Sequence, residues 1–430
     1  NLLDKASIIL TPTAYNNGEA LCVKPSDGSG DFDFSRNSAA TRVNAQGLVE
    51  NVQILSSNLV QNGDFSEQGS EEVSNGSFSQ ESSELVTNGD FSNGTTDWQV
   101  EGSSSIVVGD FKGKTDVAKI NINNVSSGSR IRQPFNYVSG KTYKVDIEVY
   151  VESGNFRADS SDSFVSGDFV STSTLGSWQT LTAYITAIST GSNYIWLRSI
   201  SSVSEFYVSN VSVREVAQNW DLETGWSIGE DKAISDGSGS VPNTDLIQGN
   251  VFTSGKSYKV TLEIKDYVSG NLQLQNNTTN FPQSNGIHTI YSSTGGTSLI
   301  LRSLSFIGSI TNISVKEVGQ NWTLGTGWSI AEDKAVAVSG SATKLQQTIS
   351  GLSGKKCEVT FTLSDYQGTD LVLLDFGSTS GQSITANGTY TEIGTYDQNY
   401  FQLYKGANFS GNITNISVIE ITDDTNLPRI

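Results

Sequence analysis

The chain repeats itself with a period close to that of a whole domain, which is typical of tandem domain copies and too long for a solenoid repeat. A closing strand occurs three times, as Val208–Val216, Ile310–Val318 and Ile413–Ile421. Successive copies begin 102 and 103 residues apart. At 430 residues the chain is long enough for several such domains, each with its own core.

Inside each repeat, apolar residues alternate with polar ones over short runs bounded by Gly, Asn and Ser. This alternation is typical of strands in half-buried sheets, and helical periodicity is hard to find. Regularly spaced short strands favour a two-sheet sandwich of the jelly-roll type. The sequence therefore predicts an all-β chain with tandem β-sandwich modules at residues 85–217, 218–319 and 320–422.

A shorter repeat precedes the modules. Leu59–Ser66, Glu72–Ser79 and Leu85–Ser92 share an Asn-Gly-Asp-Phe-Ser type pattern at a period of 13 residues, and only the last copy leads directly into a module. The stretch from Val43 to Phe111 has eleven acidic residues and neither Lys nor Arg. We therefore expect residues 59–84 to form an exposed acidic connector or edge-strand duplicates.

The two ends differ from the modules in kind. Residues 1–58 begin with an apolar strand pattern at Ser7–Leu10 and continue as short strands joined by turns, which predicts a small β-rich attachment domain. Residues 423–430 form a C-terminal tail beyond which we expect the chain to continue.

Charge restricts the partners that the chain is expected to have. The formal net charge is −19, so a phosphate backbone or an anionic membrane surface would repel the chain, and nucleic-acid binding is disfavoured. No apolar run approaches the length needed to span a bilayer, so we expect no membrane insertion. Cys22 and Cys357 fall in different predicted domains, which argues against a disulfide framework, and each is expected to be a buried small residue.

Once these segments are laid out, the run Phe34–Glu50 resembles a segment near the start of many tailed-bacteriophage structural and fibre proteins. Thr425–Ile430 resembles a continuation of the same theme. This resemblance implies a location on the virion surface, with residues 1–58 binding other virion proteins. It also implies a homo-oligomer, with a trimer favoured.

A second resemblance concerns the modules. Asn88–Trp98, Gly176–Thr182 and the closing strand are similar to carbohydrate-binding modules of the family 4 and 9 type, which are jelly-roll sandwiches. These motifs are mostly scaffold, so they favour the fold more than they favour sugar binding. In this family Trp178 would be a structural aromatic.

The same resemblance raises the question of a structural calcium ion, because related sandwiches often carry one. Asp90, Asn93 and Asp97 supply the hard oxygen ligands that calcium prefers. The alternative is a Gly-Asp turn held by Asx hydrogen bonds. No other cofactor is expected.

Strand parity suggests where a glycan would bind. If Ile195 and Leu197 face the core, then Tyr194, Trp196 and Arg198 face outward, and the aligned strand of the third module would present a matching set. Outward aromatic rings with neighbouring polar groups are suited to sugar recognition. The alternative is packing against a neighbouring module or a second subunit. The glycan-binding candidates are Tyr194, Trp196, Arg198, Tyr400, Gln402 and Tyr404.

Catalysis finds little support in the sequence. His288 is the single histidine, and nothing around it forms a recognisable triad. Glu230-Asp231 and Glu332-Asp333 recur beside a lysine, which is typical of turn residues rather than of catalysts. The tryptophans at repeat positions fit core or inter-module packing, namely Trp220, Trp226, Trp322 and Trp328.

The sequence therefore predicts a non-enzymatic virion appendage, a head or tail fibre or a decoration protein, whose β-sandwich modules either serve as spacers or adhere to host-surface glycans. The alternative is a secreted bacterial carbohydrate-binding protein or adhesin, or an accessory part of a glycoside hydrolase.

Overall fold

A computed structural model describes residues 54–422, apart from gaps at 126–127, 161–163, 165–167, 200–202, 241–243, 294 and 371, together with five short strands before residue 54. The described residues contain no α-helix and consist of strands joined by turns, with a 3₁₀ turn at Gln275–Asn277. This confirms the all-β prediction. The chain divides into two compact units, residues 1–69 with 318–430, and residues 70–317.

The N-terminal strands form a three-stranded antiparallel sheet, β1-β2-β3, and a hairpin, β4-β5. The predicted strand Ser7–Leu10, Cys22 and most of Phe34–Glu50 lie outside the described residues, as does the tail at 423–430. The attachment role of residues 1–58 stays a prediction. The strands are β1 (Ala14–Asn16), β2 (Glu19–Leu21), β3 (Phe32–Asp33), β4 (Thr41–Val43), β5 (Val49–Asn51), β6 (Ile54–Asn58) and β7 (Gln68–Glu71).

Module 1 is a sandwich of two five-stranded antiparallel sheets. The sheets have the strand orders β15-β12-β17-β10-β9 and β14-β13-β16-β11-β8. Alternate residues of β12 face the interior, where Val145, Ile147 and Val149 are fully buried. The strands are β8 (Gln99–Glu101), β9 (Ser104–Phe111), β10 (Lys114–Ile122), β11 (Arg130–Tyr137), β12 (Thr142–Ser153), β13 (Phe156–Asp159), β14 (Asp168–Thr172), β15 (Trp178–Thr186), β16 (Gly191–Arg198) and β17 (Ser204–Val216).

Module 2 has the same arrangement, but two long strands join its layers into one nine-stranded sheet. The start of β25 pairs with β21 and its middle pairs with β20, with Ser305 between them at a positive φ of 56°. The strands are β18 (Asp221–Leu222), β19 (Trp226–Gly229), β20 (Lys232–Asp236), β21 (Asp245–Gln248), β22 (Ser257–Leu274), β23 (Thr279–Asn280), β24 (Gly286–Ser293) and β25 (Leu299–Val318).

Module 3 again has two sheets, with the orders β26-β29-β34-β31-β32 and β27-β28-β35-β30-β33, and β6 adds to the second sheet beside β35. Its interior contains the fully buried Val359, Phe361 and Leu403. The strands are β26 (Thr323–Leu324), β27 (Trp328–Ala331), β28 (Lys334–Ala337), β29 (Thr343–Thr348), β30 (Lys356–Gly368), β31 (Val372–Asp375), β32 (Ser380–Ile384), β33 (Gly388–Thr395), β34 (Tyr400–Lys405) and β35 (Phe409–Thr422).

The third copy of the 13-residue repeat completes module 1. Phe91 is fully buried and stacks on Trp98, with ring centroids 5.3 Å apart. The indole Nε1 of Trp98 donates to the Asn88 carbonyl at 3.0 Å. The buried Gln133 accepts from the Thr87 N–H and donates to the Thr87 carbonyl, both at 2.7 Å. The repeat is thus held by one aromatic pair and by polar groups that satisfy one another within the core.

The second copy makes the same contacts with module 2. Phe78 lies 5.2 Å from Trp220, whose Nε1 donates to the Asn75 carbonyl at 3.1 Å. Gln248 bonds the Ser74 backbone in both directions at 2.8 Å. Phe78 and Trp220 belong to the core that also contains Leu262 and Val315 of module 2, so this repeat is part of that module.

The first copy completes module 3. Phe65 lies 5.0 Å from Trp322, whose Nε1 donates to the Asn62 carbonyl at 3.0 Å. Gln347 bonds the Gln61 backbone in both directions at 2.8 Å. The three copies therefore dock in reverse order, first on the last module and last on the first.

Residues 59–84 thus differ from the expected exposed acidic connector, because Phe65 and Phe78 are each only 1% exposed. The edge-strand alternative holds for β7, which pairs with β25. Two of the acidic residues bind the backbone of the modules. Glu71 accepts from the Val315 N–H and Glu84 accepts from the Val213 N–H, both at 2.7 Å, so each carboxylate binds the last strand of its module. The predicted boundaries 218–319 and 320–422 leave out these N-terminal pieces.

The modules are consequently nested along the chain. Module 1 follows the second repeat and ends just before Trp220, so its sequence interrupts module 2. Residues 70–317 likewise interrupt the unit formed by residues 1–69 and 318–430. The four repeat tryptophans are all buried, which confirms their predicted core role: Trp220, Trp226, Trp322 and Trp328.

Nesting predicts that module 1 can be excised. In module 1, the six residues Ser92–Asp97 join Phe91 to Trp98. The distance between the ring centroids of Phe78 and Trp220 in module 2 is nearly the same as that between Phe91 and Trp98. We expect a chain in which Ser92–Asp97 replaces residues 79–219 to keep a folded module 2. Circular dichroism and calorimetry would check this. Loss of the β signal of module 2 would contradict it.

The repeat glycine predicts a sharp sensitivity. A Cβ on Gly76 would lie 1.9 Å from the Ile313 carbonyl oxygen, so Gly76→Ala has to push the repeat off β25. We expect a loss of about 1–3 kcal/mol in the unfolding free energy of module 2, as overpacking typically costs. Gly249→Ala, where nothing lies within 4 Å, is the matched control. Equal unfolding midpoints by calorimetry for the two variants would contradict the docking described above.

Candidate functional site

Strand β16 presents three of the predicted residues on one side of module 1. Ile195 and Leu197 are fully buried in the core, while Tyr194, Trp196 and Arg198 point to the opposite side and are half-buried. This placement follows from the two-residue period of a strand, which sends alternate side chains to opposite faces. The glycan-binding role assigned to them stays a prediction.

Register places arginines beside these residues. Arg132 of β11 pairs with Trp196, and Arg157 of β13 pairs with Arg198. Arg130 lies two residues before Arg132 on the same face. The outward surface formed by Arg130, Arg132, Arg157, Tyr194, Trp196 and Arg198 is hereafter the cationic face.

Guanidinium groups lie over the aromatic rings of this face. The guanidinium carbon of Arg132 is 3.9 Å from the ring centroid of Tyr194, and that of Arg130 is 4.1 Å from the ring centroid of Trp196. Arg198 approaches Trp196 at 5.5 Å. Such contacts attract because the π face of a ring carries negative potential, and they fix the otherwise flexible arginine side chains.

Two carboxylates form ion pairs with these arginines. Asp159 is fully buried, lies 2.6 Å from Arg157 Nε and accepts hydrogen bonds from both Nε and a terminal nitrogen of Arg198. Glu101 of β8 accepts from Arg130 and lies 2.8 Å from a terminal nitrogen of Arg132. Arg130 and Arg132 therefore share one carboxylate, so this pair carries one more positive than negative charge.

The one indole N–H of the cationic face has no hydrogen-bond partner among the described residues. The indole Nε1 of Trp196 is inaccessible to solvent and unpaired. A buried N–H without an acceptor costs free energy, about 1–3 kcal/mol. Because solvent does not reach this N–H, it is not available to a ligand in this structure.

Sequence reasoning found β16 but missed its neighbours. One sequence pattern could have indicated these neighbours. Two charged residues separated by one apolar residue point to the same side of a strand, and this pattern occurs in Arg130-Ile-Arg132 and Arg157-Ala-Asp159. Four of the nine arginines of the chain occur in these two segments and at Arg198. Which strands lie side by side depends on register, which the sequence alone does not give.

The corresponding strand of module 3 is different. Phe401 and Leu403 face the core, and Tyr400 and Tyr404 are half-buried on the other side. Gln402, predicted as a ligand residue, is only 2% exposed and donates to the Asp375 carboxylate. The structure therefore does not present Gln402 to a ligand, because a neighbouring strand satisfies and covers its amide.

The corresponding strand of module 2 lacks aromatic residues. Ser298 and Ile300 stand where module 1 has Tyr194 and Trp196. Arg302 is retained, but it forms a bidentate pair with the nearly buried Asp245 at 2.8 Å. Aromatic rings combined with several arginines are therefore a feature of module 1.

The loop predicted as a calcium site has an internal explanation. The amide of Asn88 fills it, donating to the Gly94 and Thr96 carbonyls and accepting from the Asn93 N–H. Asp90 is exposed and accepts from Ser92, whose hydrogen bonds lower the pKa of the Asp90 carboxyl. Asp97 is exposed as well. Among the described residues, no three His, Cys, Asp or Glu side chains cluster as metal ligands do.

The other candidates for chemistry are turn or packing residues. His288 contacts the Ser284 carbonyl at 2.8 Å on the surface of β24. Glu230, Asp231, Glu332 and Asp333 all have positive φ, as expected in tight turns. No helix in the described part of the chain is long and apolar enough to cross a membrane.

Comparison with known proteins gives structural likenesses only. No family model and no curated protein matches the chain. The tandem CBM22 domains of Paenibacillus barcinonensis Xyn10C match with a TM-score of 0.28 and 9% identity, over 59% of this chain and 99% of that one. A CBM4 structure matches with a TM-score of 0.24 and 17% identity, over 30% and 99%.

A viral protein is also similar. The triple jelly roll structure from the turret assembly of an archaeal virus matches with a TM-score of 0.24 and 14% identity, over 77% of this chain and 92% of that one. All three TM-scores lie below 0.5, so the jelly-roll assignment depends on the strand pairing described above.

Burial predicts that Cys357 is unreactive. Its side chain is fully buried, and burial raises the pKa of the thiol to about 11, so very little thiolate exists at neutral pH. In a Cys22→Ser background at pH 8, we expect iodoacetamide to label Cys357 at least about a hundredfold faster in urea than in buffer. Rapid labelling of the folded protein by mass spectrometry would contradict the burial.

Proposed function

We propose that this chain is a non-enzymatic structural protein of a virion appendage and that module 1 binds glycans on the host surface. The observation that carries the binding role is the cationic face, where Tyr194, Trp196 and Arg198 share one side of a sheet with Arg130 and Arg132. Glycan sites combine aromatic groups with fixed polar donors, and the cationic face supplies both.

Rigidity supports a binding role for this surface. The aromatic rings and the guanidiniums hold one another, and the two carboxylates fix the guanidiniums. A surface that is already ordered loses less conformational entropy when a ligand binds. Weak binding per module becomes useful when several copies act together, which fits the proposed homo-oligomer with a trimer favoured.

The virion assignment has a different basis. It rests on the resemblance of Phe34–Glu50 to tailed-bacteriophage structural and fibre proteins, and it assigns residues 1–58 to binding other virion proteins. The localisation proposed is the virion surface. A secreted bacterial adhesin or an accessory part of a glycoside hydrolase is not favoured by any observation on the described residues.

Glycan arrays probed with the full chain test the binding role. We expect specific binding that Trp196→Ala weakens by about 2 kcal/mol or more, as truncating a central aromatic group typically does. Trp178→Ala is the matched control, because Trp178 is also half-buried but lies on the other sheet, against Tyr150. Circular dichroism would verify that both variants are folded.

Two results would overturn the binding role. One is an array on which the folded full chain binds no glycan. The other is equal loss of binding in Trp178→Ala and Trp196→Ala, which would place the site elsewhere or show a general loss of structure.

A further inference from the structure

We infer that the ligand of the cationic face is an acidic glycan, one that carries carboxylate or sulfate groups; this inference rests on the proposed function. Neutral sugars typically stack their apolar faces on an open aromatic ring. Here Arg132 lies 3.9 Å from the centre of the Tyr194 ring and Arg130 lies 4.1 Å from the centre of the Trp196 ring. The ring faces are therefore occupied by guanidinium groups.

The arginines remain reachable although they are fixed. Their side chains are between 18% and 27% exposed: Arg130, Arg132, Arg157 and Arg198. A guanidinium has five N–H donors in a planar fork that matches carboxylate and sulfate oxygens. An acidic sugar can bind these donors from solvent without displacing an arginine from its ring.

The local charge leaves an anion to be bound. Arg130 and Arg132 share a single carboxylate, Glu101, so this part of the cluster carries one more positive than negative charge. Pairing with an anion in a partly desolvated site contributes more than the same pairing in bulk water.

The charge of the whole chain argues for a glycan over a nucleic acid. With 45 acidic residues against 26 basic ones, the protein repels a long, densely charged polyanion. Carboxylates or sulfates spaced along a sugar chain experience less of this repulsion, because salt screens charges beyond about 10 Å. A small positive surface on an acidic protein therefore selects ligands of moderate charge density.

The test uses the full chain and a matched pair of ligands, an oligosaccharide of uronic acids and its carboxyl-reduced form. The reduced form keeps the sugar backbone and replaces each carboxylate with a neutral hydroxymethyl group. We expect the acidic form to bind at least about tenfold more tightly by calorimetry and to weaken as NaCl is raised. A sulfated oligosaccharide with its desulfated form is the second pair.

Arg132→Gln tests the assignment to the cationic face. Glu101 keeps Arg130 as a partner in this variant, so no carboxylate is left unpaired. We expect Arg132→Gln to remove the preference for the acidic form. Arg214→Gln is the control, since Arg214 lies on the other sheet of module 1 and is 43% exposed. It should bind like the parent chain.

Each other outcome is decisive. If the neutral form binds as tightly as the acidic form and Trp196→Ala abolishes both, the glycan role stands and the acidic preference is wrong. If neither form binds and the array is silent, both are wrong. If Arg132→Gln changes the sedimentation of the chain, the cationic face joins copies of the acidic protein, and the inference is overturned.

Discussion

The fold of all three modules depends on one interaction, the docking of a short Asn-Gly segment onto a tryptophan. The asparagine carbonyl accepts from the indole Nε1 at 3.0–3.1 Å in each module. A neighbouring Phe packs against the same indole, and a buried glutamine hydrogen-bonds the backbone of the residue before the asparagine. Without the segment, a large aromatic ring and a buried amide in each core would lose their partners, which is costly on both counts.

The same interaction shows how far the sequence could predict the fold. The closing strands and the alternation gave the all-β modules, because both signals are local. The docking of these segments was not predicted, because the partner tryptophans lie far along the chain. Trp322 follows Phe65 by 257 residues, and Trp220 follows Phe78 by 142 residues. A spacing of 13 residues suggested neighbours in a connector, whereas the true partners are set by tertiary contacts that no local pattern encodes.

The candidate site was predicted in part for the same reason. Parity within β16 placed Tyr194, Trp196 and Arg198 together, since it needs only the two-residue period. It could not place Arg130 or Asp159, which come from strands that register brings alongside. It also overestimated Gln402, because an outward direction does not guarantee exposure when an adjacent strand supplies Asp375 as a partner. Polar contacts between neighbouring strands therefore make module 3 differ from module 1, although strand parity predicts the same outward residues for both.

The pairing of β6 with β35 has a mechanical consequence. Ile54 lies opposite Thr422, so β6 begins and β35 finishes at the same end of two adjacent antiparallel strands. A force applied through residues 53 and 423 acts first on the pair formed by β6 and β35. It breaks the hydrogen bonds between these two strands one after another. The nested modules, whose sequences lie between these two strands, carry none of that load until the pair has parted.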